Sequence, residues 1–424
     1  GPIQGNMVHP YIRRRQGKEN VSYPLPRLKP VLEETLGVVL FQEQVIRVAI
    51  AVAGFTPGEA DSLRRAMSRK RSRRAMEELG QRFVEGARKN GVSEKKAQEV
   101  FNMLKGFAEY GFCKSHAAGF ALLAYQSAWL KKYYAPEFYC ALLNNQPMGF
   151  YSPEVIVGDA RRHGIEVLPV HIDRSQDRCT VEEGKVRLGF RYVKEMGEAA
   201  VTKLEETRKE GPFRSLQNLY QRAELSREAT ENLILVGALD SFGLPKRRLL
   251  WQLGLLEQQG REGLPLALPE YQIALPAFTP MEEVAVDYKV QGLSARCHPM
   301  QVLREGICRD GILKSSEIAT LFSDSRVRFA GYVVCRQAPG TAKGHVFLTL
   351  EDEQGLVNVV LKPHVYEKYR YVARMEPLLV VEGILQKKDG TVNIIAQRLI
   401  PLRQESARQG VLYPLPAPKA RNFA

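Results

Sequence analysis

The 424-residue chain carries 61 lysines and arginines against 47 aspartates and glutamates, a formal charge of +14, with 44% hydrophobic and 25% charged residues. This is ordinary globular material for about two to four domains of roughly 100 to 200 residues, and its basic balance points to an anionic partner. No run of about 18 apolar residues is free of charge, so no membrane-spanning helix is expected; no secretory leader is visible, and six cysteines (113, 140, 179, 297, 308 and 335) without a CxxC pair fit reduced thiols in a cytoplasmic protein.

Residues 1 to about 145 read mostly as helix after a proline-broken opening from Gly1 to Leu28. Val45, Ile46, Val48, Ala49 and Val52 recur at helical spacing, which predicts a helix over Glu43 to Ala53 that ends at Gly54. A second helix follows Thr56-Pro57 and carries Leu63 to Met67. The stretch Arg64 to Arg74, RRAMSRKRSRR, then has seven basic residues in eleven and no acid. That density suits phosphate contact, with Arg69, Lys70 and Arg71 as DNA-binding candidates; a solvated face is the plainer alternative. The segment Phe107 to Phe138 sets Lys114, Ser115 and His116 at the mouth of a long apolar helix. With Ser115 as N-cap, backbone N–H groups, lysine and imidazole would converge on a polyphosphate or a nucleic-acid backbone. The alternative is a buried amphipathic helix with a solvated lysine and a packed histidine, and Tyr125 in particular reads as core.

Past Pro169 the pattern shifts to short alternating runs such as Val186 to Phe190, then to two helical hairpins. In the first, Val193 to Glu206, a turn at Gly197 leads into a helix; in the second, a helix over Arg227 to Leu239 meets a turn at Gly243 and a helix opening with Lys246, Arg247 and Arg248. Exposed N–H groups beside cations would clamp a DNA backbone, while plain αα-hairpins are the alternative. Four prolines between Gly260 and Met281 mark a linker or an extended wrap. From Arg326 the period becomes two: Val327, Phe329, Val333 and Cys335, then Val346, Leu348 and Leu350, then Val357, Val359 and Leu361, a helical stretch, and two further strands. Three strands, a helix and two strands are the order of an OB-fold, with Tyr332, Lys343, Phe347, Lys387 and Lys388 as candidates for a single-strand surface. A barrel used only for protein contact is the alternative. Cys297, His298 and Cys308 lack a fourth ligand for zinc.

The segments GPIQGNMVHPYIRRRQGKE, GVVLFQEQVIRVA, AGFTPGEADSLRRAM and FAEYGFCKSHAAGFALLAYQSAWLKKYYAPEF, in this order, resemble the fingers region of the C-family bacterial DNA polymerases, the alpha subunits of DNA polymerase III. The resemblance runs on through the hairpins to the barrel, and ALLNNQPMGFYSPEVIVGDARRHGIEVLPV and VQGLSARCHPM resemble the error-prone, damage-induced branch. It implies a multidomain α+β chain: mostly helical fingers over 1–190, tandem helix-hairpin-helix-like units over 191–259, a connecting segment over 260–325, a five-stranded OB-fold barrel over 326–402 and a flexible tail over 403–424.

The activity so implied is DNA-directed DNA synthesis across lesions, on a primer–template with dNTPs, with Arg64, Arg65, Lys114, Ser115 and His116 near the incoming triphosphate. A replicative alpha subunit and a non-catalytic nucleic-acid-binding module are the alternatives. The family holds two Mg2+ on palm-domain carboxylates that include an Asp-x-Asp, and this chain has no Asp-x-Asp. The palm is therefore expected upstream of Gly1, and the chain is expected to be inactive alone. Glu195 stands where such a hairpin usually has its first glycine. No glutamine-led clamp peptide stands out between Gly260 and Met281, and Gln252 to Leu256 reads as apolar core, so a sliding clamp is expected to attach through an accessory protein.

Overall fold

The computed structural model describes residues 8–68, 73–107, 112–149, 151–259, 275–307, 311–388, 391–402 and 421–423. The basic candidates Arg69, Lys70 and Arg71 fall outside these residues, as does most of the tail. Two compact units divide the chain, Gly1–Trp129 and Leu130–Ala424.

In the first unit, α1 (Val8–Arg15) and the short α2 (Lys29–Leu32) precede α3 (Gln42–Ala53), α4 (Pro57–Ser68), α5 (Arg73–Lys89), α6 (Glu94–Phe107) and the start of α7 (Lys114–Tyr133). Val45, Val48, Ala49 and Val52 of α3 are all buried, as their spacing requires. Gly54 ends α3 in the left-handed region at φ 65°. Helix α5 crosses α3 closely at Gly86, where a Cβ would stand 2.3 Å from the Ala53 carbonyl oxygen. Phe83 and Phe101, with ring centroids 5.5 Å apart, join Leu28, Leu32, Leu63 and Leu104 in the core. Helix α7 departs from expectation: none of its residues is buried, and Tyr125 is 66% exposed.

The second unit begins with α8 (Ala135–Asn144) and α9 (Pro153–Arg162), which pack beside a small sheet of β1 (Val167–Leu168), β2 (Thr180–Glu182) and β3 (Lys185–Arg187). Strand β3 pairs parallel with β1 and antiparallel with β2. The run from Val186 leaves the strand early because Phe190–Tyr192 turns into a 3-10 helix. Four helices follow: α10 (Glu198–Arg208), α11 (Leu216–Ala223), α12 (Arg227–Leu235) and α13 (Lys246–Gln259). Leu188, Phe190, Leu204, Leu219, Leu233 and Leu249 tie them to the small sheet in one core.

Residues 260–274 of the connecting segment, most of the proline-bearing stretch, lie outside the described residues. Helices α14 (Pro280–Gln291), α15 (Pro299–Ile307) and α16 (Ser315–Thr320) occupy its described part. Pro280 starts α14 at the position where a missing N–H costs nothing. Thr279 and Glu282 close a reciprocal box there: Thr279 Oγ1 accepts the Glu282 N–H at 3.2 Å, and the Glu282 carboxylate accepts the Thr279 N–H at 2.8 Å.

The closing domain is a five-stranded barrel of β4 (Arg326–Gln337), β5 (Val346–Glu351), β6 (Leu356–Leu361), β7 (Leu378–Lys388) and β8 (Thr391–Pro401), with α17 (Pro363–Lys368) and α18 (Arg370–Met375) between β6 and β7. Strand order β5-β6-β8-β7-β4 closes through β4–β5 pairing, and β9 (Arg421–Phe423) adds in parallel to β4. Val327, Phe329, Leu348, Leu350, Val359, Val381 and Ile394 fill the interior at period two. Met300, Leu303 and Ile307 of α15 pack on the outer side of β4 and β7, over Ala330, Tyr332, Leu378 and Val380.

Candidate nucleotide and nucleic-acid site

A parallel bridge between Phe41 and Phe112, with the Gln42 N–H donating to the Phe112 carbonyl at 2.9 Å, brings the start of α7 beside the start of α3. Gln44 fixes the α3 end: its side chain accepts from the N–H groups of Leu40 and Phe41 at 2.9 and 3.0 Å and donates to Thr35 Oγ1 at 2.7 Å. Helix α7 begins at Lys114, so Ser115 lies inside its first turn instead of capping it. The cap comes from elsewhere in the chain. The Glu43 carboxylate accepts the Lys114 N–H at 3.0 and 3.1 Å and the Cys113 thiol at 3.1 Å. Burial pushes the Glu43 carboxyl up, but the amides of Lys114 and Glu43 and the Cys113 thiol together draw it below the ordinary carboxylate range. The Lys114 ammonium meets Glu34 at 2.5 Å. Lys114 and Ser115 line a cavity of about 320 Å³ with Glu34, Phe41, Glu43, Gln44, Arg47 and Ala118.

His116 is exposed on the same turn, its ring 5.4 Å from Phe112 and 4.6 Å from Phe120. Arg64 reaches toward α3: its Nε donates to Asp61 at 2.8 Å and its Nη1 to the Gln42 side chain at 3.1 Å. Arg65 pairs with Asp61 at 2.7 Å and is 70% exposed. The structure thus gathers Lys114 and Ser115 around one cavity and brings Arg64 to Gln42, next to Glu43, while Arg65 points to solvent.

The hairpin candidates divide. Gly197 is the N-cap of α10 and Gly243 ends a 3-10 turn at φ 71°, both with open space where a Cβ would stand. Lys246 and Arg247, by contrast, are engaged within the protein. The Lys246 ammonium is buried, donating to the Leu235 carbonyl at 2.7 Å and pairing with Glu283. Arg247 pairs with Glu282 at 3.0 Å and lies over the Phe278 ring. The first turn of α14 draws both cations inward. On the barrel, Lys343 is exposed and Phe347 stands on the outer face of β5, 36% exposed. Tyr332 is withdrawn from that surface: it is buried under α15 against the His298 ring.

Residues 1–91 match the bacterial DNA polymerase III alpha subunit finger domain, residues 164–249 the helix-hairpin-helix motif, and residues 327–402 the OB-fold nucleic acid binding domain. Along its whole length the chain is 43% identical to an error-prone DNA polymerase of Anaeromyxobacter sp. (strain K). The chain is a homologue of error-prone DNA polymerases. It is also 42% identical over 97% of its length to that of Sinorhizobium medicae, and 41% over 94% to that of Methylococcus capsulatus. It spans 38 to 40% of the length of these polymerases.

Two features of this region carried little signal in the sequence. Glu34 and Glu43, the acids that hold Lys114, lie 80 and 71 positions before it, and their only local signal was the acidic residue inside FQEQV and the EE pair at 33–34. Glu195, where the resemblance implies a glycine, adopts φ 65°, a left-handed conformation that favours glycine.

Proposed function

We propose that this chain is the nucleotide- and template-handling part of an error-prone DNA polymerase that extends primers across damaged template in the cytoplasm. The observation that carries the reading is the 43% identity along the whole chain, joined to the cavity that Lys114 and Ser115 line at the start of α7. Incoming dNTP phosphates enter this cavity, where the Lys114 ammonium, the first-turn N–H groups of α7 and the nearby Arg47 and Arg64 neutralise them; His116, on the same turn as Lys114, and Arg65, next to Arg64 on α4, are further candidates. Two Mg2+ ions, held on aspartates of the polymerase outside this chain, supply the Lewis acid for attack of the primer 3′-hydroxyl on the α-phosphate. Without those aspartates this chain is inactive alone. The helix-hairpin-helix turn at Gly197 grips duplex backbone, the barrel takes single-stranded template, and a sliding clamp is reached through an accessory protein.

The test is Lys114→Ala in the full polymerase. The KM for dNTPs should rise at least tenfold, as loss of one charge-assisted phosphate contact of about 1.5–3 kcal/mol requires, while primer–template affinity stays within twofold. An unchanged KM removes the triphosphate from this cavity.

A further inference from the structure

The outward positions of β5 and β6 are Phe347, Thr349, Leu356, Asn358 and Val360, and none of them is basic. A strand of nucleic acid lying there would find apolar surface for its bases but no cation for its phosphates. The cations come from the elements that flank these strands. The β4–β5 loop carries the exposed Lys343, and at Gly344 it reaches α17, where a Cβ would stand 3.4 Å from the Pro363 side chain. Directly after β6, α17 and α18 with the residue that precedes them present Lys362, Lys368, Arg370 and Arg374, all exposed. Against these five cations the same stretch sets only the exposed Glu367 and the half-buried Glu376. Among the described residues none of the five is paired with a carboxylate, and Lys368 merely lies over the neighbouring Tyr369 ring. The arginines on β4 and β8 differ: Arg328 and Arg398 share Glu382, at 3.1 and 3.8 Å.

The two helices form a fixed platform. Val365 and Ala373 belong to the barrel core, and Tyr366, Tyr369 and Val372 pack against it. Arg336 of β4 closes the end of α18, donating to the carbonyls of Ala373 and Glu376 at 2.8 and 2.7 Å. With that side of α18 turned to the barrel, Arg370, Tyr371, Arg374 and Met375 share its outer side, as spacings of three and four require. Tyr371 is 70% exposed and Met375 64%. A ring so exposed on an anchored helix offers a stacking surface with little ordering cost, and base stacking needs only a π-face.

We propose that the outer side of α17 and α18 is a phosphate track that prolongs the barrel's single-strand surface. A strand stacked on the β5–β6 face continues past Lys343 and Lys362 onto Arg370 and Arg374, where a base stacks on Tyr371. The track rests on the reading that the barrel takes single-stranded template, and it adds a further segment to that path. Unpaired cations spread along about 20 Å of helix match a regularly charged backbone. A ring flanked by two arginines favours nucleic acid over an acidic peptide, which has no base to stack on it.

The experiment is fluorescence anisotropy of this chain with labelled oligo(dT) of two lengths, about 5 and about 18 nucleotides, which bracket the site size of one OB barrel. With the long oligonucleotide, the double variant Arg370→Ala/Arg374→Ala should reduce the slope of log K against log salt by about 1.4, two phosphate contacts on a single strand. Tyr371→Ala should weaken binding of the long oligonucleotide roughly tenfold and Tyr371→Phe should hold it, as a stacking contact predicts. Neither the double variant nor Tyr371→Ala should affect the short one, whereas Phe347→Ala should weaken both lengths. A loss with Phe347→Ala but none with the double variant overturns the track and leaves the barrel as a single-strand site. Equal loss at both lengths in the double variant also overturns it, since the arginines then lie within the barrel's own footprint. Indifference to every variant at both lengths removes the barrel from single-strand binding and the track with it. If the double variant loses poly-glutamate binding but keeps DNA affinity, the surface docks an acidic protein and the track is refuted. Arg370, Tyr371 and Arg374 are all exposed, so these substitutions remove no core packing.

Discussion

Glu195 offers the sharpest test of the hairpin reading. It stands at φ 65° in the turn before α10, exposed, with its neighbours pinned: the Lys194 N–H donates to the Val290 carbonyl at 3.3 Å and the Met196 N–H to the Val193 carbonyl at 3.2 Å. A side chain in this conformation costs about 1–2 kcal/mol relative to glycine. Glycine loses about 0.5–1 kcal/mol more chain entropy on folding, so Glu195→Gly should stabilise the chain by about 0.5–1 kcal/mol net. Glu195→Ala keeps the Cβ and should give no such gain. The two variants separate backbone strain from charge, because both delete the carboxylate beside the Gly197 turn. If duplex phosphate approaches that turn, removing one exposed like charge is worth about 0.5 kcal/mol. Both variants should then bind duplex DNA about twofold more tightly at low salt, with glycine ahead because the backbone can come closer. Urea midpoints and anisotropy with a blunt duplex supply the readouts. Equal midpoints for glycine and alanine would refute the strained turn; unchanged duplex affinity in both would take the hairpin off the DNA path.

Lys246→Ala should destabilise the second unit by about 3 kcal/mol, because Glu283 and the Leu235 carbonyl lose their partner in a buried setting; urea unfolding checks this, and a loss of DNA affinity in the folded variant would mean the lysine also reaches solvent. Glu154 is pushed up to about 8, first by burial and then by the neighbouring Glu351 carboxylate, which the Arg162 guanidinium holds at 2.8 Å. Between its ordinary value of 4.5 and about 8 the folded chain retains a proton that the unfolded chain has released. Stability should therefore fall as pH rises through that window, and Glu154→Gln should flatten the fall in Tm from pH 5 to 8.5; an unaltered slope would place the proton elsewhere. Glu34→Gln leaves the Lys114 ammonium without its carboxylate and should lower the dNTP KM of the full polymerase by about twofold to fivefold for an exposed pair of this kind; a rise in KM would show that Glu34 positions the lysine for substrate.

The barrel was legible because its signal is local. Val327, Phe329 and Val333 alternate with outward residues, and each strand repeats the pattern within a few positions. Helix α3 was legible for the same reason, its buried face recurring at three and four. Helix α14 was not, since Pro280 carries opposite meanings at a helix start and inside a helix, and only the Thr279–Glu282 box distinguishes them. Tyr332 shows a different limit. Its alternation put it correctly on an outer face, but the cover over that face comes from α15, some thirty residues upstream, and strand periodicity carries no information about what lies outside the barrel.

The cations show why a charge count does not locate a binding site. Lys246, Arg247 and Lys114 all open helices, where basic residues gain nothing from the helix dipole. For Lys246 and Arg247 the compensation is permanent: Glu283 and Glu282 sit in the favourable first turn of α14, half-buried or deeper, and withdrawing them would leave buried charge unpaired. At Lys114 the compensating acids are of another kind. Glu34 and Lys114 are both roughly half exposed, and Glu43 occupies the same first-turn N–H that a phosphate oxygen would take. A pair that solvent can separate at small cost leaves the cation available to a ligand of higher charge, and a triphosphate brings more charge than either carboxylate. Burial of the partner acid, rather than the density of lysine and arginine, therefore separates the cations that build this chain from those left available to an anionic ligand.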